Sequence, residues 1–300
     1  MLLNEIKNLK VGKFYMKTKN IFITAEKINK YIAYLKNEEH ADNTVEKYAR
    51  DVRTFADFLN GEAVTKELAV AWKNKLKETH AITSINSMIA AINGFFDLFK
   101  IDIQVKQFKI QRKTFLSDEK ELTKIEYERL LETAKSQGNI RLYYIMQTLC
   151  ATGMRVSELR FITAEAVRRG QVEVTNKNKT RTIFIPDKLK NALLRYAKQR
   201  NINTGPIFVT RTGKEINRSN IWVEMKKLCA EAKVDSCKVF PHNLRGLFSR
   251  KFYSVEKDLA KLATILGHSN IDTTRIYIME SSTKYRRIIE NLNLTRLRYT

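Results

Sequence analysis

Three hundred residues with 43% hydrophobic content are enough for two domains with real cores. No stretch reaches the roughly 18 consecutive apolar residues of a membrane span. Fifty-five Lys plus Arg against 32 Asp plus Glu leave a formal charge of +23, which points to a polyanionic partner without naming an activity.

Residues 1–21 read as a basic tail without the apolar core of a secretory signal, so a cytoplasmic protein is expected. Met16 is a second possible start within that tail. Ile28, Tyr31, Ile32 and Leu35 follow i, i+3, i+4, i+7 spacing and predict a first helix. Thr44 reads as the N-cap of a second helix carrying Tyr48, Val52, Phe55 and Leu59 on one face. A third helix is expected near Val70 to Leu76, and a fourth from about Ser84 carries Ile85, Met88, Ile89, Ile92, Phe95, Phe96 and Phe99. With no proline and only Gly61 and Gly94 as glycines, residues 22–101 read as a compact all-helical bundle. Residues 102–118 lose this periodicity and hold Lys106, Lys109, Arg112 and Lys113. They read as a basic linker whose charge suits a phosphate backbone, with a solvated surface loop as the alternative.

Residues 119–280 form the second expected domain. Thr123 and Glu126 make a capping-box pair ahead of a helix to about Ser136. A further helix runs from Ile140 to Ala151 and ends at Gly153. The period then changes to two. Gln171-Val172-Glu173-Val174 and Thr182-Ile183-Phe184-Ile185 alternate across a short polar turn, which predicts a β-hairpin closed by Pro186. Ile207-Phe208-Val209 is a candidate third strand, and helical patterns resume beyond it. Residues 281–300 read as a basic helical tail. The expected fold class is mainly α with a small β-sheet. Cys150, Cys229 and Cys237 are odd in number and lack C-x-x-C spacing, so neither a disulfide framework nor a zinc site is indicated.

Four short strings carry candidate chemistry. Arg155 lies in Ala151-Thr152-Gly153-Met154-Arg155-Val156-Ser157-Glu158-Leu159, just past a helix end where the chain turns and can aim a side chain. His242 and Arg245 lie in Pro241-His242-Asn243-Leu244-Arg245, one helical turn apart and so on one face. His268 lies in Leu266-Gly267-His268-Ser269, and Tyr277 follows in Thr273-Thr274-Arg275-Ile276-Tyr277. A guanidinium donates two parallel N–H bonds to the non-bridging oxygens of a phosphodiester under attack. A phenol is a poor nucleophile at neutral pH and needs nearby cations to favour its phenolate. Only four histidines occur in the chain, and two of them fall in these strings.

The strings, their order and their spacing resemble the tyrosine recombinases, the family of phage-type integrases and Xer-type resolvases. The resemblance runs over residues 122–280, and the helical block is similar to the family's SAM-like core-binding domain, including Ser84-Ile85-Asn86 and Phe95-Phe96. It implies an N-terminal all-helical core-binding domain and an α+β tyrosine recombinase catalytic domain. It implies that Tyr277 attacks the scissile phosphate to leave a 3′-phosphotyrosyl link and a free 5′-hydroxyl. Arg155 and Arg245 would clamp the phosphate, and His242 and His268 would position it and handle protons. Glu158 would support Arg155, an ordinary salt bridge being the alternative. The family's general-acid lysine of the hairpin turn matches Lys177, with Lys179 as the rival. Departures occur at Gly246-Leu247, where the family often has His-Thr, and in a hairpin turn one residue shorter than in typical Xer-type members.

No metal or other cofactor is implied. The implied partner is double-stranded DNA carrying inverted-repeat core sites, contacted in part by Lys106, Lys109, Arg112 and Lys113. A homo-tetramer on DNA is expected, with the tail docking on a neighbour or else packing on its own domain. Accessory DNA-bending or directionality factors are possible partners, and a membrane is not. Two other readings remain: a type IB topoisomerase, which would only relax supercoils, and a catalytically inactive DNA-binding architectural protein of the same fold.

Overall fold

The computed structural model describes residues 21–110, 120–176, 179–210, 212–278, 282–292 and 294. They form two compact units that divide between residues 110 and 120. The basic tail at 1–20, Met16, Arg112, Lys113 and Lys177 lie outside the described residues.

Among the described residues, the first unit holds four α-helices, α1 (Ala25–Asn37), α2 (Asp42–Leu59), α3 (Lys66–Lys75) and α4 (Ile82–Leu98). Thr24 and Thr65 cap α1 and α3, their side chains accepting from the Lys27 and Leu68 N–H groups. Helix α2 starts earlier than the Thr44 signal suggests. Its N-cap is Ala41, which has no capping side chain, and Asp42 supplies the negative charge that favours a helix N-terminus. Helix α4 likewise starts two residues before Ser84, at Ile82.

Apolar periodicity places the core as expected. The Phe55 ring sits 4.9 Å from Trp72 and 6.0 Å from Phe96, centroid to centroid. Each such side chain contributes about 1.5–3 kcal/mol by leaving water. The buried Tyr31 hydroxyl is satisfied, because Tyr31 Oη donates to the Ala91 carbonyl at 3.0 Å. Gly94 makes that approach possible, since a Cβ there would stand 2.8 Å from Tyr31 Oη.

The start of the expected linker is tied to this unit. Asn93 Nδ2 donates to Val105 O while Asn93 Oδ1 accepts from Val105 N, both at 2.9 Å. Asn86 makes the same pair of bonds with Phe108, both at 2.8 Å. Two side-chain amides on α4 therefore stand in for a neighbouring strand and hold residues 105–108 against the helix. Lys106 and Lys109 are exposed on this strap.

The second unit runs through α5 (Lys124–Ser136), α6 (Ile140–Thr152), a 3-10 turn at Val156–Phe161 and α7 (Ala164–Arg169). A hairpin follows, β1 (Gln171–Asn176) and β2 (Lys179–Phe184), antiparallel with Val174 opposite Arg181 and Asn176 opposite Lys179. Then come α8 (Asp187–Gln199), α9 (Arg218–Lys227), α10 (Pro241–Glu256), α11 (Leu259–Leu266), α12 (Ile271–Ile278) and α13 (Ser282–Asn291). The Thr123–Glu126 capping box is present in both directions. No third strand forms at 207–209. Ile207 and Phe208 are both buried instead of alternating, and Val209 makes only an isolated bridge to Glu215. The three cysteines are free thiols. No helix among the described residues is long and apolar enough to cross a membrane.

Candidate active site

Gly153 ends α6 in the left-handed conformation, φ +63°, and turns the chain toward Arg155. A side chain at this glycine would also collide with the Phe248 ring of α10, so α6 and α10 touch here. Arg155 then starts the 3-10 turn, and Glu158 folds back on it. Glu158 Oε2 accepts from the Arg155 N–H at 2.7 Å, and Glu158 Oε1 pairs with Arg155 Nη1 at 3.2 Å. Glu158 is only 3% exposed, whereas the Arg155 side chain is 35% exposed and lines an open cleft of about 830 Å³. Glu158 thus does more than a surface ion pair would.

Helix α10 begins with Pro241, whose missing N–H costs nothing in a first turn. It carries His242 and, one turn on, Arg245, which is 2% exposed. Arg245 Nη1 donates to Gly153 O at 2.5 Å, and Nη2 lies 2.7 Å from Leu266 O and 2.8 Å from His268 Nε2. Because a guanidinium only donates, His268 Nε2 is the acceptor and His268 Nδ1 carries the proton. That N–H faces Thr274 Oγ1 at 2.8 Å.

Helix α12 presents Tyr277, a buried residue, to this group. Its ring stacks on His268, 5.7 Å between centroids and 10° between planes. Its hydroxyl lies 3.5 Å from His242 Nδ1. Burial, then the charges of Arg245 and Arg155, hold His242 below its ordinary pKa. Burial first, and then Arg245, Arg155, Arg181 and His242, push His268 down to about 4. Burial also lowers Arg245 to about 10, helped by the neighbouring Arg155 charge and opposed by Tyr277. Both histidines are therefore neutral at pH 7, as a proton acceptor must be.

The structure thus brings Arg155, Glu158, His242, Arg245, His268 and Tyr277 together from four separate segments. Lys177 lies outside the described residues, and Lys179 opens β2 at the mouth of the hairpin. Lys106 and Lys109 lie on the other unit. Two neighbours were not singled out from the sequence. Thr274 gives no sequence signal. Arg181 does give one: it stands two residues before buried Ile183 and opposite buried Val174, so a charge lies on the core side of a strand.

Known proteins share this fold. The model of the phage integrase family matches residues 120–284, and that of the phage integrase N-terminal SAM-like domain matches residues 28–100. The chain is 27% identical over 287 residues to tyrosine recombinase XerA of Pyrococcus horikoshii, covering 93% of this chain and 98% of that one. The Tn1549 transposon integrase in complex with transposon right end DNA has the same fold, with TM-score 0.67, 17% identity, and 90% and 99% of the two chains covered. So does a lambda integrase tetramer bound to a Holliday junction, with TM-score 0.69, 15% identity, and 92% and 80% covered. The chain belongs to the phage integrase family. Its class is the tyrosine site-specific recombinases, with a SAM-like helical domain ahead of a catalytic domain.

Proposed function

We propose that this chain cleaves DNA by attack of Tyr277 on a scissile phosphodiester and exchanges strands between two sites. The bond from Tyr277 Oη to phosphorus forms as the bond from phosphorus to the 5′-oxygen breaks, leaving a 3′-phosphotyrosyl link. The phenolic proton passes to His242 Nδ1, and the leaving 5′-oxygen takes a proton from Lys177, or from Lys179 in the alternative assignment. Arg155 and Arg245 carry the charge that develops on the non-bridging oxygens. The new ester keeps the energy of the old one, so religation to another 5′-hydroxyl needs no ATP. The observation that carries the reading is the Tyr277 hydroxyl facing neutral His242, with its ring stacked on a histidine bonded to Arg245.

In this reading residues 22–101 form the core-binding domain and 119–280 the catalytic domain. The segment 102–118 follows the DNA with Lys106, Lys109, Arg112 and Lys113. Four copies act on two inverted-repeat core sites in the cytoplasm, and residues 281–300 dock on a neighbouring copy. Accessory bending or directionality factors would set whether the outcome is integration, excision, resolution or inversion.

The test is to denature cells expressing the chain and sequence the DNA that remains covalently attached. Attached DNA that disappears in Tyr277→Phe is the expected result. Enrichment of DNA without any adduct would favour an architectural protein. Relaxation of supercoils without exchange between sites would favour a topoisomerase.

A further inference from the structure

The C-terminus of α11 has an unusual set of partners. An α-helix leaves its last carbonyls without intrahelical donors, and the dipole makes that end negative. Here Ala263 O accepts from His268 N and Thr264 O from Gly267 N, both at 3.0 Å. The next three carbonyls in sequence each meet a different guanidinium. Ile265 O accepts from Arg181 Nη1 at 2.7 Å, Leu266 O from Arg245 Nη2 at 2.7 Å, and Gly267 O faces Arg155 Nη2 at 3.5 Å. His268 follows directly.

Of these three, Arg181 is the one that reaches the helix end from β2. Its second terminal nitrogen, Nη2, bonds Glu158 Oε2 at 2.6 Å, the same oxygen that accepts from the Arg155 N–H. Its side chain is 13% exposed, against 35% for Arg155 in the same cleft. Gly267, φ +65°, admits it: a Cβ there would collide with the Arg181 side chain. Both ends of Arg181 are therefore committed inside the protein. One end fixes the helix terminus from which His268 emerges, and the other fixes the carboxylate that orients Arg155.

We propose that Arg181 is a positioning residue, a strut from β2 that sets His268 and, through Glu158, Arg155, without itself touching the DNA phosphate. The inference rests on the recombinase reading for its consequence in cleavage, but not for its effect on the free protein. A misplacement of about 1 Å at a reacting group is worth on the order of 100-fold in rate. Arg181→Ala is therefore expected to slow adduct formation at saturating DNA by that order, with DNA affinity within about threefold of the original protein. Arg181→Lys, which reaches either Glu158 or Ile265 O but not both, should recover part of the rate.

The experiment has two arms. In the first, the full chain and both variants are reacted in single turnover with a nicked duplex carrying the sequence recovered from the covalent adducts. In the second, the His268 ring is titrated by NMR in the free proteins, assigned by loss of its signal in His268→Asn. Removing the Arg181 charge should raise the His268 midpoint from its depressed position, and Arg181→Lys should move it less. An unchanged midpoint together with an unchanged cleavage rate overturns the proposal. So does a large loss of DNA affinity with the saturated rate intact, which would make Arg181 a phosphate contact. If Arg181→Ala fails to fold by circular dichroism, Arg181→Lys decides on the same criteria. If the unaltered chain forms no adduct, the recombinase reading fails, and the NMR arm alone decides: an unmoved His268 midpoint overturns the strut.

Discussion

The first unit buries mainly rings, with Asp51 as its one buried charge among the described residues, and the second, around its site, buries charge. Trp72, Tyr31, Phe55, Phe95 and Phe96 are the largest fully buried side chains of the helical bundle, and the Tyr31 hydroxyl among them donates to Ala91 O. Around the site, Arg245 and Glu158 are as deeply buried, and each holds several partners on different segments. Apolar packing tolerates volume-conserving change, whereas a buried charge that loses one partner is strongly destabilised. The difference separates a region built for stability from one built to fix positions. Ring contacts are interchangeable in kind; a guanidinium between two named carbonyls is not.

The largest expected effect that tests this contrast is Phe96→Ala, which should cost about 3–5 kcal/mol through transfer and cavity terms. The chain has two tryptophans, of which Trp72 is buried in the first unit and Trp222 is exposed, so denaturant unfolding followed by fluorescence reads mainly that unit. Next is Gly153→Ala. A left-handed alanine costs about 1–2 kcal/mol, and the contact with Phe248 adds to it. Because Gly153 O holds Arg245, adduct formation should fall more than stability does; equal losses would break the contrast. Thr123→Ala removes a cap on α5, a helix that supplies no site residue, and should cost about 1 kcal/mol with cleavage unchanged.

A further effect is a pH dependence. His242 and His268 have folded pKa values below the ordinary 6.5. The unfolded chain therefore binds protons first as pH falls, and stability declines from about pH 6.5 toward about pH 4. The acid limb of the cleavage profile should lie below pH 6.5 for the same reason, because His242 stays neutral there. A cleavage limb above that value would mean that His242 gains a negative neighbour when DNA binds.

Much of the fold was legible because its signals are local. The i, i+4 spacing of Ile28 and Ile32, the Thr123–Glu126 box and Gly153 all act within one or two helical turns. Thr44 misled because α2 begins on Asp42 without a side-chain cap. Ile207-Phe208-Val209 has strand composition, but burial of adjacent residues is not a strand pattern. The start of the expected linker looked structureless because its hydrogen bonds go to Asn86 and Asn93, 12 or more residues earlier. In the site, the strings gave the residue types in order, while their convergence depends on contacts 23 to 112 residues apart, such as Arg245 to His268 and Arg155 to Gly267. Arg181 was passed over because its place two residues before Ile183 marks a core-side position only if the strand extends back to it, as its register opposite Val174 shows.

The central claim is that Tyr277 becomes covalently bound to DNA. The most direct measurement is mass spectrometry of the protein after cleavage of a nicked duplex, digested with protease and nuclease. The account predicts a nucleotide mass on the peptide containing Tyr277, absent from Tyr277→Phe, which still binds the duplex. A nucleotide on any other residue, or an adduct that survives in Tyr277→Phe, would contradict it.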